Sequence, residues 1–258
     1  MAELFDMALR GKRRDRAARS GPDFFLLERA FDDCLERMQS LGRRFDRALL
    51  IGCPDGSWPR RLAQLCERID IRDPGQIYAT KAGGEIIVED AWLPPEAEYD
   101  LVLAIGTLDT VNQLPLALRL VRHSMRGDSL FIGALSGGDT LPQLRAAMRA
   151  ADALAGVAAP HVHPRIEAAA LSPLLEHAGF VRAVVDVDRV DVSYPSLERL
   201  VADLRAMGAT SILRARAPSL SGSQYDAARR AFMDTGAGGR TTETFEILHF
   251  AAWTAAHG

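Results

Sequence analysis

From residue 23 to residue 41, in the stretch DFFLLERAFDDCLERMQSL, apolar side chains return at steps of three and four: Phe24, Leu27, Phe31, Cys34, Leu35, Met38 and Leu41. That period predicts an amphipathic helix, and Gly42 supplies its stop. The following run, Ala48-Leu49-Leu50-Ile51, is short and unbroken, as a strand buried on both faces would be. It enters a turn, Gly52-Cys53-Pro54-Asp55-Gly56, and then a helix led by Ser57 with Pro59 in its first turn and Leu62, Leu65, Cys66 and Ile69 on one face. Short strands are predicted at QIYAT (76–80) and EIIVED (85–90), with only Lys81 to Gly84 between them. Parallel strands need a crossover helix, so this compressed region predicts a hairpin or a lost crossover.

YDLVLAIG (99–106) reads as a second strand buried on both faces, Asn112 as the cap of the helix QLPLALRLVRHSM, and SLFIGAL (129–135) as the next strand. Beyond the SGGDT loop (136–140), helices are predicted for LPQLRAAMRAADALAG, LSPLLEHAGF, SLERLVADLRAMG and residues 223–233, and strands for 181–192 and 245–253. Alternating strands and helices closed by a strand–strand pair predict an α/β fold: a doubly wound, mostly parallel sheet whose last strand is antiparallel at or near an edge. The chain reads as a single domain, 1–258. Residues 1–45 form an N-terminal helical arm, 46–135 a nucleotide-type half, and 136–258 a half carrying lid insertions at the carboxyl ends of the strands, where ligands bind in such folds.

Composition narrows the partners. A charged fraction of 25%, 48% hydrophobic residues and a net charge of -3 over 258 residues describe a globule without the basic field that recruits nucleic acid. No apolar run reaches the roughly 18 residues of a membrane span, and the N-terminus lacks a signal-type apolar core, so a cytoplasmic location is expected. The RGKRRDR run (10–16) reads either as a contact for an acidic partner or, in preference, as a solvated arm. Cys34, Cys53 and Cys66 have neither the pairing nor the histidine spacing of a disulfide framework or zinc site, so no metal is expected; Cys53, in the turn, is the one placed to meet ligand or solvent.

Three side chains stand out as candidate chemistry. His161, two residues from His163 in a Pro-bounded loop, could serve as a base, or simply pack locally. Asp139 precedes a helix, so a cap competes with a catalytic role. Tyr194, before Pro195, could close a substrate pocket or just make a strand-to-helix turn. Asp186, Asp188 and Asp191 alternate along a strand as a solvent face does.

The stretches LFDMALRGKRRDRAA at the start, GALSGGDTLPQLRAAM (133–148), PHVHPR (160–165), LLEHAGF (174–180) and VDVSYPSLERLVADLRAMG (190–208), with the closing strand and its Trp253, resemble one family over nearly the whole chain. It is the class I S-adenosylmethionine-dependent methyltransferase superfamily, and within it the NADH dehydrogenase complex I assembly factor 5 group, neighbours of the biotin-pathway malonyl-carrier methyltransferases. The resemblance implies a seven-stranded Rossmann-like sheet, S-adenosylmethionine as cofactor, and a protein substrate or partner such as a respiratory complex I subunit, modified at an arginine. It places the cofactor against Gly52, Cys53 and Gly56, under Ile105 and Gly106, with Glu89, Asp90 and Ala91 at the adenine.

The departures are equally specific. The Asp-x-Gly-x-Gly-x-Gly turn of such enzymes reads Leu50-Ile51-Gly52-Cys53-Pro54-Asp55-Gly56 here, so an acid is replaced by Leu50 and a glycine by Pro54. The ribose-binding acid after the second strand has no match at the position expected for it, where Thr80 is nearest. Two readings follow: a modifying enzyme with a degenerate S-adenosylmethionine motif, or a non-catalytic assembly or binding protein on the same fold that has discarded the cofactor. In the second, Asp139, His161 and Tyr194 would gather around one mouth to receive a basic segment of a partner protein.

Overall fold

The computed structural model of the protein describes residues 3–21 and 23–256. Its elements run α1 (Met7–Arg19), α2 (Phe25–Ser40), β1 (Phe45–Ile51), α3 (Trp58–Leu62), β2 (Cys66–Asp73), α4 (Gln76–Lys81), β3 (Glu85–Ile86) and β4 (Tyr99–Ile105). There follow α5 (Leu114–Ser124), β5 (Met125–Ser136), α6 (Pro142–Ala155), α7 (Ala168–His177), β6 (Val181–Tyr194), α8 (Leu197–Ala206), α9 (Gly222–Asp234) and β7 (Thr241–Trp253). The strands form one seven-stranded sheet in the order β3-β2-β1-β4-β5-β7-β6. Strands β1 to β5 pair in parallel, and β7 lies antiparallel between β5 and β6.

Parallel central strands are covered on both faces, which is why β1 and β4 read as unbroken apolar runs. Apolar–polar alternation is absent there because Leu49, Leu50 and Ile51 of β1 and Leu101, Val102, Leu103 and Ile105 of β4 are all fully buried. One face packs under α2, α6, α8 and α9, with Phe31, Met38, Leu200 and Phe232 in its core. The other packs under α5 and α7, around Phe131, Leu171, Leu175 and Phe250. No helix among the described residues is long and apolar enough to cross a membrane.

The region between β1 and β4 departs from the sequence expectation. Residues 66–73 form β2 rather than the rest of a helix, and 76–80 lie in the helix α4 rather than in a strand. The Leu62, Leu65, Cys66 and Ile69 spacing matches a helix, but only Leu62 belongs to one; Ile69 and Ile71 alternate along the strand instead. Pro74 and Gly75 then break the strand, and α4 is a crossover shortened to six residues. No hairpin forms: β3 pairs parallel to β2. Asn112 caps no helix; its side chain accepts from Phe5 N and donates to Phe5 O, tying the N-terminal segment down.

Candidate functional site

The carboxyl ends of β1, β2 and β4 meet where the resemblance places the cofactor. The β2 correction also moves the missing acid: Asp73 ends that strand, fully buried, and Thr80 has no such role. Its carboxylate faces β1, accepting from Cys53 N at 2.9 Å and Gly75 N at 2.7 Å. Glu89, beyond β3, is likewise fully buried.

Both acids are already held by guanidinium groups of the chain itself. Arg14 donates from Nε and Nη2 to Asp73, at 2.8 and 2.5 Å. Arg10 donates from Nη1 and Nη2 to Glu89, at 2.7 and 2.8 Å, and Nη2 reaches the Thr107 carbonyl at 2.6 Å. The RGKRRDR run is therefore not a solvated arm. It lies within α1, where residues four apart share a face, and that face is turned inward with Arg10 and Arg14 buried. With two backbone amides and two guanidinium bonds, the Asp73 carboxylate has all four of its lone-pair sites occupied.

Gly52 adopts φ +83°, and a methyl group added there would overlap the Ile105 carbonyl oxygen and lie 2.6 Å from Thr107 Cγ2. Thr107 and the two arginines crowd this turn, while Trp58, just after it, stacks on Phe31 and Trp92 lies under Arg72. Cys53 is buried, against the expectation that it would meet ligand or solvent, and burial followed by the nearby Asp73 and Asp55 pushes its thiol up to about 12. Asp55 accepts from Ser57 N and Oγ at the start of α3. A methyl group added at Gly56 would meet nothing within 4 Å. Asp90 accepts from Gln113 N, Ala91 is exposed, Ile105 is buried, and Gly106 packs against Leu27.

Beside this turn is a cavity of about 120 Å³, walled by α1, α2, the ends of β4, β5 and β7, and the segment after α8. Its apolar lining includes Leu27, Leu141, Leu204, Met207 and Phe245; its polar lining includes Arg10, Arg14, Asp109, His163, Arg165 and Glu246. Arg165 is ion-paired to Asp109, and its Nε is buried without a partner. His163 Nε2 accepts from Ile212 N at 2.8 Å, and burial together with the Arg165 charge holds its pKa at about 4. Glu246 meets Arg189 Nη2 only at 3.4 Å.

Asp139, His161 and Tyr194 do not gather at this mouth, and none of them lines the cavity. Asp139 is exposed and paired to Arg189; α6 is capped from a distance by Glu243, which accepts from Gln143 N and Leu144 N. His161 is bound 2.8 Å from Asp152, and Tyr194 is buried in the core under α8. Asp186 and Asp188 pair with Arg37 and Arg29 of α2. The SGGDT loop serves to hold Glu246. Gly137 N donates to its carbonyl, Thr140 Oγ1 bridges its N–H and C=O, and a methyl group on Gly137 would overlap its carboxylate. No local signal marks Arg10, Arg14, Asp73 or Glu246 as partners; the i, i+4 arginines beside Ala17 and Ala18 are the one clue that this helix buries a face.

No protein-family model matches the chain. It is 30% identical to the arginine-hydroxylase NDUFAF5, mitochondrial, of Mus musculus, over 97% of this chain and 77% of that protein. It is 29% identical to the malonyl-[acyl-carrier protein] O-methyltransferase of Xylella fastidiosa, over 98% and 90%. Among solved structures it is similar to the N-methyltransferase NodS of Bradyrhizobium japonicum in complex with S-adenosylhomocysteine, at TM-score 0.52 and 12% identity, covering 95% of this chain and 98% of that one. The YcgJ protein of Bacillus subtilis gives TM-score 0.57 at 9% identity, covering 88% and 100%. The seven-stranded sheet with its antiparallel β7 is the methyltransferase fold, and the chain belongs to the NDUFAF5 arginine-hydroxylase family of S-adenosylmethionine-dependent methyltransferase-type proteins.

Proposed function

We propose that this chain is an assembly or binding member of its family, which engages a protein partner at the cavity and does not hold S-adenosylmethionine in the conformation described. The supporting observation is the double ion pair of α1 with Asp73 and Glu89. A ribose diol needs free carboxylate oxygens at the first position, and Arg14 with two backbone amides uses them all. A hydrogen bond to a charged group contributes about 1.5–3 kcal/mol, so losing both to a ribose moves a micromolar cofactor toward millimolar. Leu50, Pro54 and the Thr107–Gly52 contact act in the same direction. In this conformation the residues therefore do not fit the cofactor.

The partner proposed is a respiratory complex I subunit presenting an arginine. A relative's name, arginine-hydroxylase, supports an arginine at the site. The lining carboxylate with the longest ion pair is Glu246, which takes the place the sequence suggests for Asp139. A second reading has α1 withdraw to expose Asp73 and Glu89 for the cofactor; it is favoured by Arg10 and Arg14 lining the cavity.

Calorimetry with S-adenosylmethionine and S-adenosylhomocysteine tests the cofactor half: no heat at micromolar concentrations is expected, and a micromolar Kd overturns it. Capture from lysate with wild type and Glu246→Gln tests the other half: a respiratory-chain component lost with the variant is expected, and equal recovery by both overturns it.

A further inference from the structure

Away from the cavity, α2 lies over the β6–β7 pair and brings together three side chains of different chemistry. Asp33, Cys34 and His249 place their ligand atoms within 4.8 Å of one another. His249 sits in β7 with its side chain 3% exposed. Its Nδ1 is buried without a hydrogen-bond partner, though Asp33 Oδ2 lies 3.0 Å away, out of alignment for a bond. Cys34 is a free, fully buried thiol. An imidazole nitrogen left unpaired in the interior is costly unless something there uses its lone pair.

The surrounding charges leave room for a cation. Asp186 is the residue opposite His249 across β6–β7, and Asp188 follows on the same face. Arg37 joins Asp33 to Asp186, at 2.6 and 2.5 Å, and Arg29 takes Asp188 at 2.6 Å. Three carboxylates therefore face two guanidinium groups, beside an imidazole that burial keeps neutral.

We propose that Asp33, Cys34 and His249 form a binding site for a divalent transition metal of the zinc or cobalt class, clamping α2 to the outer strands. Thiolate, imidazole and carboxylate together are a donor set for a tetrahedral borderline ion, with the fourth position open to water or to Asp186. Binding forms the metal–sulfur bond as the Cys34 proton leaves to solvent, so the ion stabilises a thiolate that the apolar surroundings otherwise disfavour. Sequence spacing gives no sign of the site, because one ligand lies on the last strand and the others on the second helix. The site is independent of whether the cavity holds a cofactor or a partner.

The experiment is a titration of the intact chain with Co²⁺, read by thiolate-to-cobalt charge-transfer absorption in the near ultraviolet. One equivalent with a clear band is expected for the wild type. Cys34→Ser should abolish the band, and Asp33→Asn or His249→Ala should weaken binding by at least about tenfold, since loss even of outer partners costs that much. Far-ultraviolet circular dichroism checks that each variant folds, and Asp33→Asn, altering a half-exposed side chain, serves if the buried ones fail. Absence of a band in the wild type overturns the proposal, as does an unchanged band in Cys34→Ser, which would move the metal to Cys53 or Cys66, or unchanged affinity in Asp33→Asn.

Discussion

Arg14 and Asp73, 59 residues apart, meet as a doubly hydrogen-bonded ion pair, 7% and 0% exposed, at the carboxyl end of β2. The pair joins the first helix to the strand end where the family resemblance places a ribose-binding acid. One turn earlier in α1, Arg10 repeats the arrangement on Glu89. The helix is thus part of the floor of the site as well as an outer layer.

Removing one partner of such a pair leaves an uncompensated buried charge. Arg14→Ala is expected to lower unfolding free energy by about 3–5 kcal/mol, and Arg10→Ala by a similar amount. Arg10→Met combined with Glu89→Leu should cost much less than either single change, because no charge is stranded. Urea denaturation of these variants beside wild type checks this, and a loss under about 1 kcal/mol for Arg14→Ala would contradict the buried geometry.

Restoring the turn alone is not expected to restore the cofactor. Leu50→Asp with Pro54→Gly should still give no micromolar binding of S-adenosylhomocysteine, since Asp73 has no acceptor site left. Adding Arg14→Lys, which keeps the charge on Asp73 compensated but gives up the two-pronged hold on both its oxygens, should produce measurable affinity. Calorimetry on the two proteins decides; tight binding by the first would show that the arginines are no obstacle.

The two outer glycines of the turn should behave differently. Gly52→Ala combines φ +83° with an overlap on the Ile105 carbonyl, a strain of about 1–3 kcal/mol. Gly56→Ala meets nothing and should fall within about 0.5 kcal/mol of wild type. Paired thermal melts measure both, and equal effects would contradict the positive φ and close backbone approach at Gly52.

His163 makes stability depend on pH. Its folded pKa of about 4 lies below its ordinary value of 6.5, so the unfolded chain binds the proton more readily. Its contribution is fully present above pH 6.5 and is lost as pH falls through that window to 4, by about 3 kcal/mol in all. Denaturation midpoints between pH 7 and 4 should fall more steeply for wild type than for His163→Gln; matching slopes would assign the acid sensitivity elsewhere.

Period and composition determined the layered sheet, the buried β1 and β4, the helix α2 and its glycine stop, and the antiparallel last strand, because each is written in neighbouring residues. The same reasoning misassigned residues 63–80, where a strand with Ile69 and Ile71 follows Leu62, Leu65 and Cys66, and the two periods share positions over so short a span. With β2 misplaced, Asp73 could not be seen as the acid at its end.

The family resemblance carried Gly52, Glu89 and the strand-end geometry, but the occupants of the site come from elsewhere in the chain. Arg10 and Arg14 reach it from 59 to 79 residues away, and Glu246 enters the cavity beside the SGGDT loop from 107 residues beyond Asp139. Sequence records which side chains can pair, and a guanidinium in a basic run looks the same whether solvated or buried. Only the packing of α1 across the strand ends, which removes water and forces every buried charge to find a partner, decided that these arginines would take the two carboxylates.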